Sequence, residues 1–493
     1  MKNISRYFLI GAFLLSGCES TTEDEYAGIE GTGDRVELAS AYGTVSGFGS
    51  IYVNGVRFDT DTAAVEIAGE AASEDALAVG MVVDVVGEIK VGGKTGVAKT
   101  IRAERVLRGL IETVNEIGSG RKAIHVLGQV VYVNEDATIA GTTFTELAPG
   151  LGVDVSGFVT DHGLITATYI AKQDIDPAID VLEVEGYIDT VNDTAEVFSL
   201  KGLTVLVAGA QLSGGHASDL RAGQRVRVVG TLAEDPKTLQ ATRIKLIAKA
   251  IDNGRSASLE GVVRNLVADE RFTLQGVLVE MRNARIEHGS RKEIETGAQV
   301  VAFGRLIQGV LEAERIRIKP LNTERFKGAV TDIDLDNKTF VLLDTEFTVT
   351  RYTQFKDDSR SMERYFNLEN LRSGEEVEVF AVRMEDALQV TRINRRDRDT
   401  GPRESLRGTV TQLSDDRSFS IADVVVDATE APEHEWVALR NRDGEAVEVD
   451  VEGAYVSDGL FKATHVHIRP GPPCHPHVFF ECEQPKPTPP HAQ

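Results

Sequence analysis

The sequence predicts an all-β protein of six tandem small β-barrels, and two regularities carry that prediction. A glycine recurs as Gly80, Gly150, Gly223, Gly297, Gly374 and Gly444, at intervals of 70 to 77 residues. After each comes an alternation. Val83, Val153, Val226, Val300, Val377 and Val447 stand three residues on, Val85, Val155, Val228, Ala302, Val379 and Val449 five on, and between them lie Asp84, Asp154, Arg227, Val301, Glu378 and Glu448. A period of two marks a strand with one face in a core and the other in water. A repeat of about seventy residues exceeds most stacked solenoid units, so it predicts small domains in a row, each just able to bury its own core.

Each unit opens on a strand carrying a glycine: Gly43-Thr-Val45, Gly109-Leu-Ile111, Gly186-Tyr-Ile188, Gly261-Val-Val263, Gly328-Ala-Val330 and Gly408-Thr-Val410. Glycine inside a strand marks a bulge or bend, which a small barrel needs at its corners. A second glycine follows the first by seven residues as Gly87, Gly157, Gly230 and Gly304, replaced by Ala381 and Val451 in the last two units. The closing strand reads Ala103-Glu-Arg-Val106, Ala167-Thr-Tyr-Ile170, Ala241-Thr-Arg-Ile244, Ala313-Glu-Arg-Ile316, Val390-Thr-Arg-Ile393 and Ala463-Thr-His-Val466. Before the fourth strand, Ser73 to Gly80 predicts a helical turn capped by Ser73 and stopped at Gly80. Five strands with a short helical turn between strands three and four resemble an oligonucleotide/oligosaccharide-binding (OB) barrel.

The N-terminus, residues 1–18, has Lys2 and Arg6, an apolar run from Tyr7 to Leu15, and Leu15-Ser-Gly-Cys18. The run is too short to span a bilayer, and the pattern predicts a secretory signal. It resembles a bacterial lipoprotein signal, which implies lipidation of Cys18; Glu19 after the cysteine implies sorting to the outer membrane. Residues 19–40 lack apolar periodicity and are expected to be a flexible tether. The barrels are expected at 41–107, 108–172, 184–247, 258–320, 326–395 and 406–469. Pro177 marks the break before the third. In the fifth, Phe355 to Leu371 predicts a lengthened helix with Met362, Tyr365, Phe366 and Leu368 turned to the barrel. In the sixth, Trp436 is expected to be a buried anchor. The Pro-rich tail, 470–493, cannot continue a sheet.

A formal charge of −24 argues against nucleic acid as a partner, because phosphate neutralisation needs basic surface. Six of the ten histidines lie after residue 430, and His465, His467, Cys474, His475, His477 and Cys482 form a tract with ligand atoms suited to Zn or Cu. An oxidising exterior favours a Cys474–Cys482 disulfide with solvated histidines instead. No metalloprotease, serine-hydrolase, phosphate-loop or haem motif is present, so no catalytic residue and no resident cofactor are expected, and the chain is read as a non-enzyme.

Taken together, the Gly-x-Val openings, the Leu-x-x-Gly-x-x-Val-x-Val-x-Gly core and the Ala-x-x-Ile close make residues 41 to 469 similar to a bacterial repeat family of unknown function, found in tandem in secreted and lipid-anchored proteins. That resemblance implies OB-like barrels and no known activity. The expected role is a structural or ligand-binding stalk in the cell envelope, anchored to the membrane by its lipid and holding a glycan, a peptide or another envelope protein. The alternative is metal capture by the C-terminal tract.

Overall fold

In the first module the chain forms strands Val36–Gly47, Ile51–Val53, Val56–Asp59, Val82–Lys90 and Thr95–Ala103. The first pairs with the second, the second with the third, the third runs parallel to the fifth, the fifth pairs with the fourth, and the fourth returns to the first. The ring is therefore closed, in the strand order expected of an OB-like barrel. The same circuit recurs in the stretches whose first strands are Leu107–Glu116, Glu324–Asp334 and Glu404–Thr411. In the two that begin with Leu182–Tyr187 and Ser256–Val262 the first strand is split, its pairing with the second being made by Thr190–Val191 and Arg264–Val267. This computed structural model describes residues 36–469, apart from 91–92, 118–119, 161–163, 248–254, 269, 321–322, 385–386, 399–403 and 458.

The recurring glycines have a backbone cause. All six precede the fourth strand with φ between 80° and 100°, a left-handed region that side chains disfavour. The second glycine serves the bulge: the ladder between fourth and fifth strands slips at Gly87, Gly157, Gly230 and Gly304, where a Cβ would meet a carbonyl oxygen of the fifth strand at 1.9 to 2.1 Å. Module five makes the same slip at Ala381. In module six it falls at Gly453, not Val451. The loop there is two residues longer, so Val449 and Val451 occupy the places the spacing assigned to Val447 and Val449. The closing motif of module one also moves: Ala98, not Ala103, lies opposite its bulge glycine.

Inside the rings the alternation holds. Val83, Val85, Val153, Val155, Val226, Val228, Val377 and Val379 are fully buried. Trp436 is buried too, as expected. The segment before the fourth strand is a short 3-10 turn in modules one, three and four and an α-helix, Glu433–Arg440, in module six. Modules two and five have hydrogen-bonded turns there, correcting the helical turn expected in each unit. Ser73 makes no side-chain cap; in module four Ser290 and Glu293 do form a capping box. The lengthened helix expected in module five is absent: Phe355 lies within a strand, Thr345–Asp357, and only Phe366 and Leu368 of the four named apolar residues are buried, Met362 being 76% exposed.

The beads-in-a-row expectation is overturned. Within its ring the leading half of each first strand pairs with the fourth strand alone, which leaves one free edge, and free edges recruit strands. Ala39–Tyr42 runs parallel to Ser256–Leu259 of module four; Glu183 and Val184 pair with Arg108 and Leu107 of module two; Arg325–Lys327 pairs with Ser405–Arg407 of module six. Three sheets of 14, 12 and 10 strands result, each crossing a module border. Val36–Ser40, assigned above to the tether, is therefore strand. Buried apolar residues are continuous through modules two and three, and through five and six. The described residues of 36–469 fall in one compact unit.

Candidate functional site

The faces expected to be wet are largely seams. In module three, Glu185 is buried and accepts from Arg225 Nε at 2.8 Å and from Arg227 Nη2 at 2.6 Å, while Arg227 also reaches Glu104 of module one at 2.5 Å and Arg105 of module one binds Asp154 of module two at 3.0 Å. Burial drives the Glu185 carboxyl upward, but the two guanidiniums outweigh it and hold it below the ordinary range. Within module six Arg407 binds Asp450 at 2.7 Å, and within module five Glu378 binds Arg396 at 2.5 Å. Glu135 of module two joins both modules, 2.8 Å from Arg325 and 2.5 Å from Arg407. Buried charges in the repeating strands are thus spent partly on pairs within a module and partly on pairs between modules, the latter being Arg227–Glu104, Arg105–Asp154, Glu135–Arg325 and Glu135–Arg407.

Where modules one, two, four and five meet, a cavity of about 140 Å³ opens, lined by polar side chains that include Thr44, Asn134, Asp136, Arg317, Tyr352 and Arg392. Two ladder interruptions build it. The long third strands of modules two and five, Gln129–Ala140 and Thr345–Asp357, lose register with their fifth strands between Val133 and Thr138 and between Val349 and Gln354, and the bulged residues Asn134, Asp136 and Tyr352 face the gap. Tyr352 packs over Gly55, whose missing side chain makes room; a Cβ there would sit 2.4 Å from the ring. Arg317 lies 3.5 Å over the Tyr352 ring, and burial lowers its pKa to about 10.

Arg392 donates to the Asp136 carbonyl at 2.6 Å and to Thr138 Oγ1 at 2.9 Å. Burial raises the Asp136 carboxyl, with Arg392 and Lys319 only partly offsetting it. Glu260 is held below the ordinary range despite burial, by Lys319 at 2.5 Å and by the Thr44 N–H at 2.9 Å. The lining therefore offers hydroxyls, amides, buried carboxyls and guanidiniums, a set suited to hydrogen-bonded recognition of a small polar group. Sequence reasoning missed this cavity because its walls come from modules that are not neighbours along the chain.

Of the residues expected to hold metal, the structure brings His465 and His467 together on one face of the strand Leu460–Ile468, rings 5.6 Å apart and 10° from parallel. A residue not foreseen, Glu435 on the helix Glu433–Arg440, lies beside them. Cys474, His475, His477 and Cys482, with the disulfide alternative, and Cys18 with the signal all lie outside the described residues.

A family model described as Domain of unknown function (DUF5666) matches residues 42–102, 108–171, 185–245 and 327–394. Those four matches span more than half of the chain, which belongs to that family. No curated protein sequence matches. Among solved structures the chain is similar to a Drosophila Unr CSD456 structure, at 13% identity over 43% of this chain and 95% of that one with a TM-score of 0.11. It is also similar to the single-stranded DNA binding protein from Thermus aquaticus, at 13% identity over 44% of this chain and 95% of that one, TM-score 0.14.

Proposed function

We propose that this chain is a lipid-anchored, non-enzymatic protein of the cell envelope, attached through Cys18, with the outer membrane as its location, and that its fused barrels form a rigid body holding a glycan end in the inter-module cavity. The observation that carries the reading is the cavity itself: hydroxyl, amide and guanidinium groups from four modules, held in place by seams. A volume of about 140 Å³ is room for roughly five waters at ~30 Å³ each, so the ligand enters by one ring or one residue, not along its length. Nucleic acid fits less well. The net charge is −24, and Arg325, Arg396 and Arg407 are bound to carboxylates.

Titration calorimetry with mono- to tetrasaccharides, N-acetylated amino sugars included, tests this reading. Saturable binding to the wild type, weakened about tenfold or more by Asn134→Leu through the loss of one or two hydrogen bonds, supports it. Short peptides form the second arm; binding of peptides alone would replace glycan with peptide, and binding of neither removes the cavity from the account.

A further inference from the structure

We propose that Glu435, His465 and His467 form a binding site for a divalent transition-metal ion of the zinc or copper class, on module six and separate from the cavity. The donors are preassembled. Glu435 Oε1 lies 3.3 Å from His465 Nδ1 and 3.8 Å from His467 Nδ1, and one ligand atom from each of the three falls within 4.8 Å of the other two. Metal–ligand bonds of about 2.0 Å in a tetrahedron place donor atoms about 3.3 Å apart, so small side-chain rotations suffice to converge the three on one ion.

Each ligand has a structural reason to be there. A strand places residues two apart on one face, which puts both imidazoles side by side. Their equivalents in the other modules, by register against the bulge, are Thr100 and Arg102, Tyr169 and Ala171, Arg243 and Lys245, Arg315 and Arg317, and Arg392 and Asn394. None is a histidine pair. Module six is also the one in which the segment before the fourth strand is an α-helix among the described residues, and buried Trp436 and Leu439 pin that helix to the barrel.

Glu435 follows from that packing. Its Oε2 accepts the Val466 N–H at 2.7 Å, which fixes the carboxylate and leaves Oε1 facing the two rings, the kind of orienting bond that supports metal ligands. The histidines are about half exposed, so an ion reaches them from solvent and keeps a fourth position for water. Two imidazoles and one carboxylate select zinc or copper over calcium or magnesium, which prefer all-oxygen sets.

The test is titration of the full chain with Co²⁺, read by visible absorption, and with Cu²⁺, read by quenching of Trp436, the single tryptophan. One equivalent should bind with nitrogen and oxygen ligand-field bands and no thiolate charge-transfer band, unchanged in Cys474→Ser/Cys482→Ser. His465→Ala/His467→Ala should lose binding about 100-fold or more, and Glu435→Gln about 10- to 100-fold, with circular dichroism unchanged in both. No binding by the wild type, a thiolate band, or full binding in the double histidine variant would each overturn the proposal.

Discussion

The barrel interiors and the seams between barrels are built from the same strands, yet by opposite means. In the strand Arg225–Leu232, Val226 and Val228 fill an apolar core while Arg225 and Arg227, on the other face, are equally buried against Glu185. The interior is driven by apolar burial, which tolerates imprecise geometry. The seam is a desolvated ion network, which contributes little net stability when intact but costs much when one partner is lost. A charged position in an alternating strand therefore does not mean water; here the charged face is itself buried and paired.

The comparison breaks most visibly at Glu185. Glu185→Ala leaves the buried Arg225 without a carboxylate, while Arg227 keeps Glu104, and should lower unfolding free energy by about 3–5 kcal/mol in denaturant titration. Replacing Glu185, Arg225 and Arg227 together by apolar residues of similar volume should be near neutral; equal loss in both variants would mean that the seam acts through shape alone. Next in size is Gly304→Ala, whose Cβ would meet the Glu312 carbonyl at 1.9 Å. The bulge should shift at a cost of about 1–3 kcal/mol, while Ala381→Gly in module five, where the bulge already holds a Cβ, should change stability by less than about 1 kcal/mol.

Acid sharpens the contrast, because it attacks seams and spares interiors. Burial raises the Glu378 carboxyl, but Arg396 and Arg325 outweigh that and hold it at about 2, from 4.5 when unfolded. A depressed folded pKa adds stability that is complete above 4.5 and is lost as pH falls toward 2. Stability measured across that window should therefore drop, and the drop should shrink in Glu378→Gln. The smallest effect belongs to the interior: Ile244→Val, opposite Val228 in the core, should cost about 0.5–1.5 kcal/mol, with no change in the acid profile.

The barrels were legible because their signals are local. Positive-φ glycines, the bulge glycine and valine alternation are dictated by a few neighbouring residues, and they located the strands in most modules. Two offsets arose where local spacing changed: the longer loop after the helix in module six hid Gly453, and Ala103 stood in for Ala98 in module one. The seams were not legible, since the pairing of module one with four rests on an exposed strand edge and not on sequence proximity. The cavity inherits that difficulty. His465 and His467 were visible as an alternating pair, but Glu435 was hidden thirty residues upstream on a helix whose length differs from every sister turn.

Small-angle scattering from the unit Val36–Gln493 tests the fused architecture most directly. A compact particle with a radius of gyration of about 23 Å, the value for a globular chain of that length, is the expected result. A rod-like profile with a much larger radius would mean that the modules hang in a row, and would contradict the seams, the cavity they enclose and the ligand reading built on it.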